Sequence, residues 1–188
     1  GKNNRKFSPR DDVLIEEENT YFEGIRKQIA KNLDNRAVLI VFQDEKRLRE
    51  FYDSPNFNLM RQKAAILTES ADAVEKKSFV SRATLKNNIS LMTRCFGRGT
   101  DFLCRDESVV KAGGVHCIQT FLSEETSEQI QIMGRVARQG DDGSFSMVLS
   151  IKQRLAVARR DSCSLATLDI NVIYAKKQPH WQGLCSCL

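Results

Sequence analysis

Five short apolar runs, most of them separated from the next by a stretch of helical character, constrain this chain more than any other feature. They are Ala37–Phe42, Ala64–Leu67, Ile89–Thr93, Val115–Gln119 and Phe145–Leu149. The first, Ala-Val-Leu-Ile-Val-Phe, is continuous and rich in branched residues, which suits a strand buried on both faces of a parallel sheet. Phe22, Ile25, Ile29 and Leu33 have helical spacing and predict a helix from Asn19. Asp44 is placed to cap a second helix whose inward stripe is Leu48, Phe51 and Tyr52. Further helices are expected over 71–85 and from about Glu124 to Gln139, the last with Ser123 as N-cap and Gly140 just past its end. Strand and helix alternate with short connections, so the expected fold class is α/β, a mainly parallel sheet flanked by helices.

At 188 residues the chain fits one domain with a tail. Residues 1–18 swing from basic to acidic around Pro9 and read as an extended arm; 19–150 form the layered domain; 151–188 are a basic, cysteine-containing tail. No apolar run approaches the ~20 residues needed to span a bilayer. The formal net charge is +5, and residues 152–188 hold six Lys or Arg against two acids, so most of the surplus sits in the tail. Mild basicity suits phosphate contact without demanding it. Cysteines at 95, 104, 117, 163, 185 and 187, with a polar amino end, are expected to be reduced thiols in a cytoplasmic setting. Cys185 and Cys187 with His180 have no usual zinc spacing, so no metal site is expected there. The terminal Cys-Ser-Cys-Leu is a poor match to a prenylation box because its middle residues are not aliphatic. His116 falls inside an expected buried strand and reads as a core histidine rather than a base.

Parallel sheets bind ligands at the carboxyl ends of their strands, and two unusual segments fall there. The first is Gly97-Arg98-Gly99-Thr100-Asp101, after the third apolar run. Its glycines let the backbone turn sharply near a ligand, and Asp101 is able to accept hydrogen bonds from a sugar hydroxyl. A plain surface turn with Asp101 capping locally accounts for it equally well. The second is Gln131-Ile-Met-Gly-Arg135-Val-Ala-Arg138-Gln-Gly140. Projected on a helix, Gln131, Arg135 and Arg138 fall in a stripe about 60° wide, with Ile130, Met133, Val136 and Ala137 opposite. Two arginines one turn apart suit a shared anion such as a phosphate. The competing account is a solvated face paired with Asp141, Asp142 or Glu128.

These segments, with Gly113-Gly-Val-His116, Gly143-Ser144 and Leu149-Ser150, resemble the second motor lobe of SecA, the ATPase of preprotein translocation. More broadly they are similar to the C-terminal RecA-like lobe of superfamily 2 helicases. The resemblance covers roughly Asn4 to Ser150 and implies a three-layer RecA-like lobe. It implies that Asp101 contacts the nucleotide ribose with Arg98 in the same loop, so that Gly97, Arg98, Gly99, Thr100 and Asp101 form a cofactor-binding segment. It implies that Gln131 lines the cleft between lobes, and that Arg135 and Arg138 face the γ-phosphate, Arg138 being the better arginine-finger candidate. On this basis residues 1–18 become an arm or interlobe linker. The implied cofactors are ATP and Mg2+. The implied partners are a first RecA-like lobe, in the same or another chain, and unfolded polypeptide. Nucleic acid is the less favoured partner, because the charge outside the tail is close to balanced. A nucleic-acid helicase lobe and a non-enzymatic helicase-like interaction module remain the alternatives.

The chain departs from the family in several places. It contains no Gly-x-x-x-x-Gly-Lys-[Ser/Thr], hence no loop to cradle the β-phosphate and seat Mg2+. Asp44-Glu45 follow the 37–42 run but are offset by Gln43, which favours capping over magnesium binding. The stretch Ser123–Glu128 is acidic where SecA is basic, and no long helical scaffold is evident after Ser150. Alone, the chain is expected to hydrolyse no ATP.

Overall fold

The computed structural model describes residues 4–97, 99–136, 142–153 and 155. Seven strands form one sheet: β1 (Asn4–Lys6), β2 (Val13–Glu16), β3 (Val38–Phe42), β4 (Ala64–Leu67), β5 (Ile89–Thr93), β6 (Val115–Gln119) and β7 (Asp142–Ser150). Every pairing is parallel, in the order β1-β7-β6-β3-β5-β4, and β2 also pairs with β7. Helices α1 (Pro9–Asp12), α2 (Tyr21–Leu33), α3 (Glu45–Asp53), α4 (Ala73–Arg82), α5 (Glu107–Lys111) and α6 (Thr126–Met133) connect them, with 3-10 segments at Pro55–Lys63 and Arg94–Gly97.

β3 shows why the apolar run was legible. All five of its residues are buried, and they alternate between two cores. Leu39 and Val41 join Phe79, Val109, Ile132 and Phe145 on the side of α4, α5 and α6. Val38, Ile40 and Phe42 join Tyr21, Ile25, Leu48 and Phe51 on the side of α2 and α3. Three layers result, helices on both faces of a parallel sheet, as the sequence predicts. Each fully buried Phe, Leu or Ile contributes about 1.5–3 kcal/mol of transfer free energy.

The cap expected at Asp44 is present: its Oδ1 accepts from the Arg47 amide at 2.8 Å, so the carboxylate is used locally. The helix expected over 71–85 is shorter. It starts at Ala73 behind a capping box in which the Asp72 side chain accepts from the Val74 and Glu75 amides, and the Glu75 carboxylate accepts from the Asp72 amide. Residues 4–16, in the segment read as an arm, lie along the outer side of β7, Asn4–Lys6 beside Asp142–Ser144 and Val13–Glu16 beside Met147–Ser150.

His116 is a core residue. It is 3% exposed, Nδ1 lies 2.7 Å from Ser144 Oγ, and Nε2 lies 3.0 Å from Ser146 Oγ. Burial, with smaller contributions from Arg36 and Lys31, lowers its pKa to about 3, so it stays neutral. Next to it Arg36 closes the amino end of the sheet. Its Nε donates to the Gly114 carbonyl at 2.7 Å, and its Nη2 donates to the Gly113 carbonyl at 3.2 Å and to Ser144 Oγ at 2.7 Å.

Candidate functional site

The site forms where β5, β6 and β7 meet α6, and α6 differs most from expectation. It runs Thr126–Met133, not 124–139. Its N-cap position is Glu125, which makes no side-chain cap, and Ser123 instead accepts a hydrogen bond from Gln119 Nε2 at 3.0 Å. Gly134 closes the helix, its amide donating to the Ile130 carbonyl at 2.9 Å, and Arg135 follows in the turn. Gly140, expected just past the helix end, lies outside the described residues.

The buried arc of this helix is also rotated from the one read in the sequence. Ile130, expected inward, is 51% exposed, and Gln131 is exposed. Glu128, Gln129, Ile132, Met133, Arg135 and Val136 are buried. Counting apolar residues alone misplaces the face because three of its six buried members are polar or charged.

Three of those residues, Glu128, Ile132 and Arg135, are spaced i, i+4 and i+7 and meet the 94–100 segment. Glu128, with its side chain 4% exposed, takes a bidentate hydrogen-bonded ion pair from Arg94, Nε to Oε1 and Nη2 to Oε2, both at 2.9 Å. Arg94 also lies over the Phe121 ring, 5.4 Å from its centroid. Ile132 packs on Gly97 so closely that a Cβ there would stand 2.8 Å from Ile132 Cγ1. Arg135 Nε donates to the Gly97 carbonyl at 2.8 Å, and Nη1 donates to the Thr100 carbonyl.

The expected site residues therefore have distinct placements. Gly97 and Thr100 are buried and held through their carbonyls by Arg135. Gly99 has φ +67° and open space where a side chain would stand, and Asp101 is exposed beside it. Gln131 lies on the solvent side of α6. Arg98 and Arg138 lie outside the described residues, as does Asp141, one of the carboxylates offered as a pairing partner. Glu128, another of those carboxylates, pairs with Arg94. That pair was not read from the sequence, where Glu128 appears only in the acidic stretch Ser123–Glu128 and as a partner for the arginine stripe. Two buried polar atoms, Thr100 Oγ1 and Gln119 Oε1, have no hydrogen-bond partner among the described residues. No cluster of three or more His, Cys, Asp or Glu suited to a metal occurs among the described residues.

No protein-family model matches the chain. Among curated proteins it is 30% identical over 151 residues to the protein translocase subunit SecA 2 of Bacillus thuringiensis strain Al Hakam, covering 78% of this chain and 18% of that protein. It is 29% identical over 148 residues to the SecA subunit of Campylobacter fetus, covering 78% of this chain and 17% of that protein. The chain thus spans less than one fifth of the length of these relatives. Among solved structures it is similar to domain 2 of the DEAD-box helicase Mss116p bound to an RNA duplex, with TM-score 0.55 and 23% identity over 78% of this chain and 56% of that one. The E. coli DEAD-box protein SrmB, bound to regulator of ribonuclease activity A, gives TM-score 0.54 and 14% identity over 73% of this chain and 75% of that one. Sequence and fold point the same way: over 78% of its length the chain is SecA-like, and it has the RecA-like α/β fold seen in the DEAD-box helicase lobes.

Proposed function

We propose that this chain supplies one half of an ATP site in a SecA-like motor, the other half coming from a first RecA-like lobe. The observation that carries this function is the junction of the loop after β5 with the turn after α6, where the Arg135 guanidinium holds the Gly97 and Thr100 carbonyls. The loop fits a ribose: Gly99 leaves open space on its outer side, and the exposed Asp101 beside it presents a carboxylate to a sugar hydroxyl. Arg135 fixes that loop through two carbonyls. Arg138, three residues on, is the arginine finger, a planar cation suited to charge spreading over the γ-phosphoryl oxygens. Gln131, on the exposed side of α6, faces the first lobe. Residues 1–18 lead toward that lobe. Mg2+ would be seated by the first lobe, since Asp44 is committed to its helix cap.

Contacts made only with bound triphosphate favour the closed arrangement of two lobes, and hydrolysis releases it. The coupled work is movement of unfolded polypeptide. A nucleic-acid substrate is the second reading, favoured by the RNA named in the Mss116p structure.

The deciding measurement is ATPase activity of the 188-residue chain with a SecA-like first lobe, fused or in trans. Hydrolysis is expected only with both parts, and Arg138→Lys is expected to lower kcat by about 10³-fold. Stimulation by unfolded polypeptide supports a translocating motor, and stimulation by RNA alone replaces it with the helicase reading. Activity that ignores Arg138 overturns the finger assignment.

A further inference from the structure

We propose that Glu128 is a positioning residue which, through Arg94, makes the loop after β5 and the arginine turn after α6 move as one unit. This rests on the nucleotide-site reading above and adds to it a mechanism for keeping the two segments in register. Three contacts join them, and they run in order along both partners. Glu128 meets Arg94 at the root of the loop, Ile132 meets Gly97 at its bend, and Arg135 reaches the Gly97 and Thr100 carbonyls at its far side.

The first contact differs in kind from the others. Glu128 is almost fully enclosed, so an α6 that moved without Arg94 would carry a buried and uncompensated carboxylate. The guanidinium fork engages both carboxylate oxygens, which fixes direction as well as distance. Arg94 is only partly enclosed, its side chain 37% exposed, and is able to hydrate if the pair is broken. The energetic constraint therefore falls on α6, which is bound to follow the end of β5. Because Arg94 is the first residue after β5, that strand end, α6 and the Arg135 turn share one frame. A change on the ribose side is thereby transmitted to the arginine side without a rearrangement of the loop.

Amide hydrogen exchange on the whole 188-residue chain tests this without nucleotide. Glu128→Gln keeps the shape and removes the charge. Exchange at Gly99, Thr100 and Asp101 is expected to rise about tenfold, with the β3 amides within about twofold of the parent. Arg94→Lys keeps the charge but loses the fork, and is expected to raise loop exchange by roughly threefold. It also serves as the test if Glu128→Gln does not fold. Unchanged loop exchange in the folded variant overturns the proposal. With the first lobe present, Glu128→Gln is expected to lower kcat about tenfold while leaving the KM for ATP within about twofold, with Arg94→Lys intermediate. Equal kcat in Glu128→Gln and parent overturns the positioning role. Absence of hydrolysis in the parent overturns the proposed function instead, and the exchange data identify which of the two has failed.

Discussion

Two arginine clamps use the same device in different settings. Between β3, β6 and β7, at their amino ends, Arg36 holds the carbonyls of Gly113 and Gly114, and in the turn after α6 Arg135 holds those of Gly97 and Thr100. Around Arg36 the polar groups are matched among themselves, with Ser144 Oγ and both nitrogens of His116 in contact with partners. Around Arg135 the pattern is left open. Thr100 Oγ1 and Gln119 Oε1 are buried without partners among the described residues, and Gly99 and Asp101 are exposed. An arginine on two carbonyls is thus a general clamp, and what distinguishes a candidate site is the polarity left unmatched beside it.

The sharpest way to break this comparison is to remove each clamp. Arg36→Ala and Arg135→Ala should each cost about 2–4 kcal/mol in urea unfolding, because two carbonyls lose charged donors in either case. Only Arg135→Ala should also loosen residues 97–101 in exchange measurements and abolish activity with a first lobe. Equal functional loss in both variants would erase the distinction between the two clamps.

A smaller effect concerns the surroundings of Arg36 alone. The folded pKa of His116, about 3, lies below its ordinary value of 6.5, so between those values the unfolded chain binds one more proton. Stability should therefore fall as pH drops through this window, by at most about 1.4 kcal/mol per pH unit from this group. Unfolding free energies at pH 6 and pH 5 should show a shallower decline in His116→Gln than in the parent. An identical slope would mean that the enclosure of the imidazole by Ser144 and Ser146 does not keep it neutral.

The smallest effect sharpens the assignment of the carboxylate that follows β3. Asp44→Ala should lower stability by about 1 kcal/mol, the worth of a helix cap. It should leave the Mg2+ dependence of hydrolysis with a first lobe untouched. A changed metal requirement would move Asp44 from the capping role to the site.

How far the sequence disclosed all this depended on the chemistry of each surface. β3 and β5 were legible because strands enclosed by helices are buried at every position, which makes β3 apolar throughout and puts Ile89, Leu91 and Met92 in β5. The face of α6 was misread because Glu128, Gln129 and Arg135 lie inside it, bonded to partners that no periodicity reveals. Arg94 belongs to the same difficulty, since its partner is 34 positions away. The segments β1 and β2 carry little signal of their own, being short and held by β7. The motif residues Gly97, Thr100 and Arg135 were found by type and spacing, but their division of labour, carbonyls on one side and a guanidinium on the other, appears only in three dimensions.

The placement of β1 and β2 along β7 has a mechanical consequence. Strands that run in the same direction, side by side, resist a lengthwise tug with all their ladder bonds at once instead of opening rung by rung. Tension applied at Asn4 would pass as shear into β7, the strand that follows the Arg135 turn.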